Sequence, residues 1–307
     1  GLRHYLLGLE VVLPTGEVIT TGSGPGTNIH QKRVIDRSPG SPDITGMFVG
    51  DAGVFGIKTK AYFRILPDIP NFATGAFLFK SLEEMWPVFS RLMSTSPYPY
   101  TRLLGATSSE YEFWPIFYVE REAIKDEMAV KRKILEDICI QGGGEKASRE
   151  QVKMITDTYG GRQLGKLYAS RGKTVILESL VQKTDVPAFL RREGEFLAKK
   201  FEEAQIGEAL LAHQQYWIAK ERHVLVVGSV VFIDENKVTP EQGEKIAQVL
   251  SSEREFALKT GGFPSANHGY ATIRTSSVWS PTYSAFMKSL KKAGDPNNII
   301  NPGLWGL

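Results

Sequence analysis

The chain has 307 residues, is 42% hydrophobic, and sets 37 basic against 34 acidic side chains for a formal net charge of +3. That length buries a sizeable core and suits more than one domain. The charges are mixed along the chain, so no basic face points to a nucleic-acid partner, and no run of about 18 apolar residues points to a membrane span.

The N-terminal Gly1-Leu2-Arg3-His4-Tyr5-Leu6-Leu7 is too short an apolar stretch for a signal peptide, and no small-residue cleavage site follows it. It lacks an initiator Met and opens directly in an apolar segment, which reads as a chain that starts inside a domain or as a split subunit. Residues 8–22 predict two strands around the Pro14-Thr15-Gly16 turn, because β-branched residues flank a Pro-x-Gly sequence. Residues 23–46, rich in Gly, Pro, Ser and Asn, predict a loop. Three glycines, Gly50, Gly53 and Gly56, then lie between apolar segments. Such glycines let a backbone approach a flat or charged ligand with its amides as donors, or form a plain turn. The spacing is not the dinucleotide fingerprint of a Rossmann fold. Residues 61–67 read as a strand with alternating faces.

From about residue 69 the pattern changes to alternating strands and helices. Ala76-Phe77-Leu78-Phe79 reads as a strand, and Ser81-Leu82-Glu83-Glu84 as a capping box for a helix to about Ser94. Residues 122–140 predict an amphipathic helix stopped by Gly142-Gly143-Gly144. It carries the single cysteine, Cys139, which excludes an internal disulfide and reads as a buried thiol. The missing cysteine framework suits a reducing, cytoplasmic compartment. Residues 173–181 predict a strand, 185–204 a long charged helix, and 224–233 a nearly all-apolar and therefore central strand. Thr239-Pro240-Glu241-Gln242 caps a helix to about Lys259 that Gly261 ends. The whole middle region reads as an α+β layer, an antiparallel sheet with helices on one face. A loop from Gly262 to Pro281, a helix over about 282–293, and Asp295-Pro296-Asn297-Asn298-Ile299-Ile300-Asn301-Pro302-Gly303 close the chain.

Three blocks together resemble the flavoproteins of the vanillyl-alcohol oxidase / p-cresol methylhydroxylase (PCMH-type) family. The first is Gly8-Leu9-Glu10-Val11-Val12-Leu13-Pro14-Thr15-Gly16. The second runs from Asp43 to Thr59 and is similar to the family's D-L-T-x-L-F-x-G-S-E-G-T-L-G-I-I-T. The third, Asp295 to Gly303, is similar to its D-P-x-x-I-x-N-P-G. The resemblance implies the second half of a PCMH-type FAD-binding domain at 1–68, a cap domain at 69–265, and a return segment at 266–307 that packs on the FAD domain. It implies FAD as cofactor, with Gly50, Asp51, Gly53, Gly56, Ile57 and Asn301 as candidate contacts. Asp51 stands where the family has Ser, and Ala52 where it has Glu. The half-domain that carries the pyrophosphate loop has no counterpart here, so a polypeptide supplying it is an expected partner, beside a small-molecule substrate and further copies of the chain.

Ala266-Asn267-His268-Gly269-Tyr270-Ala271-Thr272-Ile273-Arg274-Thr275 bears on two subfamilies. The 2-hydroxy-acid dehydrogenases carry E-H-G with a metal-ligating Glu and a second motif, G-H-x-G-D-G-N-x-H. Here Asn267 replaces the Glu and residues 227–233 hold no histidine, so no metal is expected. The phenol-oxidising branch carries G-Y-x-x-Y-R-T, similar to Gly269-Tyr270-Ala271-Thr272-Ile273-Arg274-Thr275 with Ile273 in place of the second Tyr. The resemblance puts Arg274 near flavin and phenolate, where a guanidinium stabilises developing negative charge. His268 is a candidate proton carrier and Tyr270 a candidate catalytic residue beside Arg274; an ion-paired Arg, a structural His and a packed Tyr are the competing readings. Trp114, Phe113, Phe117 and Tyr118 read either as an aromatic substrate pocket or as core, and Trp217 and Trp279 as packing. The leading function is an FAD-dependent oxidoreductase passing a hydride from an alcohol or phenolic substrate to flavin N5. A metal-free 2-hydroxy-acid dehydrogenase and a noncatalytic subunit or fragment are the alternatives.

Overall fold

The computed structural model describes residues 2–30, 32–37, 42–65, 71–95, 102–108, 114–122, 125–153, 173–219, 223–264 and 279–307. The chain divides into two compact units. One is Gly1–Pro67 with Ala266–Leu307, and the other is Asp68–Ser265.

The first unit is built on a three-stranded antiparallel sheet of β1 (Leu6–Val12), β2 (Val18–Thr20) and β3 (Ile57–Phe63), with β1 in the centre. The hairpin closes where the turn residues place it, with Gly16 at φ +87°. A short helix, α1 (Ile44–Met47), is capped by Asp43, which accepts from Gly46 N–H at 2.8 Å. Thr45 ties this helix to the hairpin through a buried 2.8 Å hydrogen bond to Thr21. β3 begins four residues earlier than the alternation at 61–67 suggests, because Ile57, directly after Gly56, already pairs with Val12. The closing helix, Pro281–Gly294, starts on Ser280, whose hydroxyl accepts from Tyr283 N–H, and buries Met287 against Leu9, Val11, Phe48 and Val54. Trp279 packs edge-on to Trp305 and Tyr283, as a packing tryptophan should.

The second unit is an eight-stranded antiparallel sheet. Its strands are β4 (Asn71–Phe79), β5 (Arg102–Ser108), β6 (Trp114–Glu122), β7 (Glu145–Lys146), β8 (Lys173–Gln182), β9 (Leu210–Ala219), β10 (Val224–Ile233) and β11 (Phe263–Pro264). Their order is β11-β8-β10-β9-β5-β6-β4-β7. The apolar β10 lies inside the sheet, between β8 and β9, as its composition requires. β5, β6, β9 and the two-residue β7 and β11 are strands that the sequence pattern does not announce.

Helices α2 (Leu82–Thr95), α3 (Lys125–Gln141), α4 (Val186–Glu203) and α5 (Pro240–Lys259) share one core with the sheet. Ser81 caps α2 through Glu84 N–H at 3.2 Å, but Glu84 reaches back to Lys80 N–H rather than to Ser81, so the box is one residue wide of its expected form. α3 ends in the left-handed Gly143, with Gly144 N–H on Cys139 O and Gly143 N–H on Ile140 O, the double bond of a Schellman stop. The capping box of α5 forms as the sequence writes it. Cys139 is fully buried, and burial pushes its thiol up to about 12. Trp114 and Tyr118 belong to this core: Trp114 lies 5.6 Å from Trp217, and Tyr118 is buried with its hydroxyl on Glu136. Of the two readings, core packing therefore holds for these two, while Phe113 and the side chain of Phe117 lie outside the described residues.

A polar knot sits under α4 and α5. Glu193 and Glu253 are buried and hydrogen-bonded to each other. Glu193 also accepts from Ser229 at 2.8 Å and from Gln215 at 3.1 Å, and His213 reaches Ser229 at 3.0 Å. Burial raises the titration of Glu193, and burial with the neighbouring Glu193 charge raises that of Glu253 against a smaller opposing pull from Arg254. Burial alone lowers His213 to about 4. The signs follow from linkage. The carboxyl pair holds a proton that the unfolded chain releases, so its contribution is complete below about pH 4.5 and is lost as pH rises through about 7 to 8. The His213 contribution is complete above about pH 6.5 and is lost as pH falls through about 4. Glu253→Gln should remove most of the alkaline loss. In thermal scans, the drop in unfolding temperature between pH 6 and pH 9 should shrink by about 3 °C or more in the variant; an unchanged drop would show that the pair does not share a proton.

Candidate functional site

A groove of about 680 Å³ opens in the first unit, within the range of small-molecule and cofactor pockets. One wall is the glycine block: Phe48 and Val49, then Asp51, Ala52, Gly53 and Gly56. A second wall is β3 with Ile57, Lys58, Ala61 and Phe63, and Leu6 and Leu9 of β1 line it as well. Ile299, Ile300 and Asn301 of the closing segment complete it.

Both arms owe their shape to left-handed backbone. Gly50 has φ +75°, Ala52 +50° and Gly53 +79°; Asn298 has +49°, Asn301 +44° and Gly303 +79°. Glycine takes this conformation without cost and asparagine at small cost. The two arms meet where Asn301 donates its side-chain amide to Ala52 O at 3.1 Å. A Cβ on Gly53 would stand 2.9 Å from that amide, and one on Gly56 would stand 2.6 Å from Val11 Cγ1.

Beneath the groove, Lys291 of the closing helix fastens the arms together. Its ammonium, almost fully buried, donates to Val54 O at 3.0 Å, to Asp295 Oδ2 at 2.6 Å and to Ile300 O at 2.6 Å. Asp295 in turn accepts from Ile299 N–H at 3.0 Å and Ile300 N–H at 2.9 Å. Burial acts to raise the Asp295 titration, but the hydrogen bonds from Lys291, Ile300 and Ile299 outweigh it and hold the carboxyl at about 2.

Five of the six expected contacts, Asp51, Gly53, Gly56, Ile57 and Asn301, line this one groove. Gly50 lies beside it, exposed and outside the lining. Arg274, His268 and Tyr270 fall within 265–278, outside the described residues. The sequence reading passed over Lys291 and Lys58. Lys291 is legible in hindsight: it follows Met287, a core residue, by four positions and precedes Asp295 by four, a lysine on the apolar side of its helix with a carboxylate one turn on. Among the described residues no three His, Cys, Asp or Glu side chains gather as metal ligands, and no helix is long and apolar enough to cross a membrane.

Lys291→Met should cost about 3 kcal/mol, since it leaves Asp295 buried without its partner; urea unfolding reads this directly. Because Asp295 titrates below its ordinary 3.8, the contribution is intact above about pH 4 and is lost as pH falls through about 2. Asp295→Asn should therefore flatten the acid limb of the same unfolding curve.

Residues 222–304 match the family model described as "FAD linked oxidases, C-terminal domain". The chain is 21% identical to the glycolate oxidase subunit GlcD of Bacillus subtilis over 98% of its own length and 63% of that protein, so it spans less than two thirds of that relative. Among solved structures it is similar to 4-ethylphenol oxidase from Gulosibacter chungangensis, with TM-score 0.76 and 13% identity over 99% of this chain and 66% of that one. It is similar in the same way to p-cresol methylhydroxylase with substrate bound, with TM-score 0.75 and 19% identity over 99% and 65%. Residues 222–304 are thus similar to the C-terminal domain of the FAD-linked oxidases, and the chain as a whole has a fold like that of p-cresol methylhydroxylase and 4-ethylphenol oxidase.

Proposed function

We propose that residues 1–68 and 266–307 form the second half of an FAD-binding domain with its return segment, that residues 69–265 form the cap, and that the whole enzyme is an FAD-dependent oxidoreductase acting on an alcohol or phenolic substrate. The observation that carries this reading is the groove in which the glycine block and the Asn-Pro-Gly segment meet across the 3.1 Å Asn301–Ala52 bond. The groove fits a flavin nucleotide in its chemistry. It offers apolar surface from Leu9, Ile57, Phe63 and Ile299, and the glycine block comes close to Asn301 at Gly53 and to Val11 at Gly56 because neither glycine has a side chain. Bound FAD supplies the two-electron acceptor for a hydride from the substrate carbon. Gly53, Gly56 and Ile57 give it a close-approaching wall, Asn301 holds Ala52 in its left-handed turn, Asp51 braces that turn from within, and Gly50 stands beside the groove.

On the substrate side, Arg274 holds negative charge that develops on substrate oxygen or on the reduced cofactor. His268 carries the proton, and Tyr270 walls the pocket. A partner polypeptide or an adjoining stretch of chain supplies the pyrophosphate-binding half-domain, consistent with the 63% of GlcD that this chain spans. The second reading, a 2-hydroxy-acid dehydrogenase, is favoured by the name of that relative. Asn267 in place of the metal-ligating Glu weighs against it.

The test is purification of the full protein with whatever supplies the first half-domain, followed by anaerobic addition of a p-alkylphenol, glycolate or D-lactate. Yellow protein bleached by the phenol is the expected result; bleaching by a hydroxy acid alone selects the second reading, and colourless protein overturns the flavin reading. Gly53→Val should abolish flavin retention, and Arg274→Ala should keep the flavin but lower the bleaching rate at least about 100-fold.

A further inference from the structure

Asp51 and Lys58 are the two charged residues among those that line the groove. The Asp51 carboxylate is 4% exposed and fully occupied. It accepts from Gly53 N–H at 3.1 Å and Phe55 N–H at 3.2 Å, and both its oxygens contact the Lys58 ammonium. Lys58 donates further to Gly56 O at 3.1 Å and stands 5.7 Å from the centre of the Phe48 ring. The amides of Gly53 and Phe55 are therefore spent on the chain's own carboxylate and are not offered to a ligand. The pair also straps together the turn that contains the left-handed residues 52 and 53. In the motif that residues 43–59 resemble, these two positions are Ser and Ile and the position of Ala52 is Glu, so this chain moves the negative charge to Asp51 and adds a lysine against it.

A buried carboxylate alone in such a groove would repel a ligand bearing phosphates, and an ammonium in direct contact cancels that field. We propose that Asp51–Lys58 is a positioning pair of the flavin groove, which locks the glycine turn and keeps the groove electrically neutral so that an anionic dinucleotide enters it. The inference rests on the flavin reading above.

Two measurements test it, the first on the chain and the second on the full protein with whatever supplies the first half-domain. The first is the unfolding cycle of Asp51→Ser, Lys58→Ile and the double substitution, which installs the motif's residues. Each single change should lower the unfolding temperature, and the double should recover at least half of the summed loss. Additive losses overturn the lock. The second is fluorescence titration with FAD and with riboflavin, which lacks phosphates. At low salt, Lys58→Ile should weaken FAD about tenfold more than riboflavin, and Asp51→Ser should not. Equal loss of both ligands in both variants overturns the charge role and leaves a purely structural strap. If the parent protein with its first half-domain binds neither flavin, the flavin reading and the charge role fall together, and the unfolding cycle alone decides the lock.

Discussion

The first unit depends on one ammonium group. Lys291 reaches from the closing helix to a carbonyl of the glycine block, a carbonyl of the terminal segment and the carboxylate of Asp295. Val54 and Ile300 belong to segments nearly 250 positions apart, and each carries a buried backbone oxygen that needs a donor. A lysine answers both at once, at the expense of desolvating its own charge, and Asp295 supplies the counter-charge that makes this bearable. The groove above is the space left between two segments held in this way. Its width follows from where Lys291 pins them, and its entry from the glycines that let them come so near.

The same economy of charge recurs in both units. Asp51 sits deep because Lys58 faces it, and Asp295 because Lys291 does. Under α4 and α5 the solution differs: Glu193 and Glu253 are hydrogen-bonded to each other and share a proton, with Ser229 and Gln215 donating to Glu193. Ion pairs keep their strength through neutral and alkaline conditions, whereas a shared proton is surrendered there. The carboxyl pair of the second unit should thus respond to pH in the opposite sense to Asp295 of the first.

How much of this was legible in the sequence varied with the kind of signal. Elements punctuated by caps and glycines were readable: α5 between Thr239 and Gly261, α3 up to its Gly-Gly-Gly stop, the hairpin at Pro14-Thr15-Gly16, and the apolar β10. The strand β9 was not, because its inward face carries His213 and Gln215, polar residues that look solvent-facing until Glu193 and Ser229 are seen opposite them. β5 carries a central glycine that breaks the pattern. Two-residue strands such as β7 and β11 carry too few side chains for any period to show. At the groove, the glycine spacing and the Asn-Pro-Gly block pointed to residues that do come together, because close approach needs glycine whatever the ligand. The lysines escaped notice, since a lysine is read as surface by default and only the packed structure shows what it bonds.

The large sheet ends at both sides in its shortest members, Glu145–Lys146 and Phe263–Pro264. An outermost strand is where a second molecule docks its own backbone and starts a polymer. Among the described residues each outermost strand offers only two residues, one pair charged and the other containing an imino acid that cannot donate, and each pairs with two positions of the longer strand beside it. Each of these two short strands is by itself a poor template for a second backbone, whatever chemistry the groove performs.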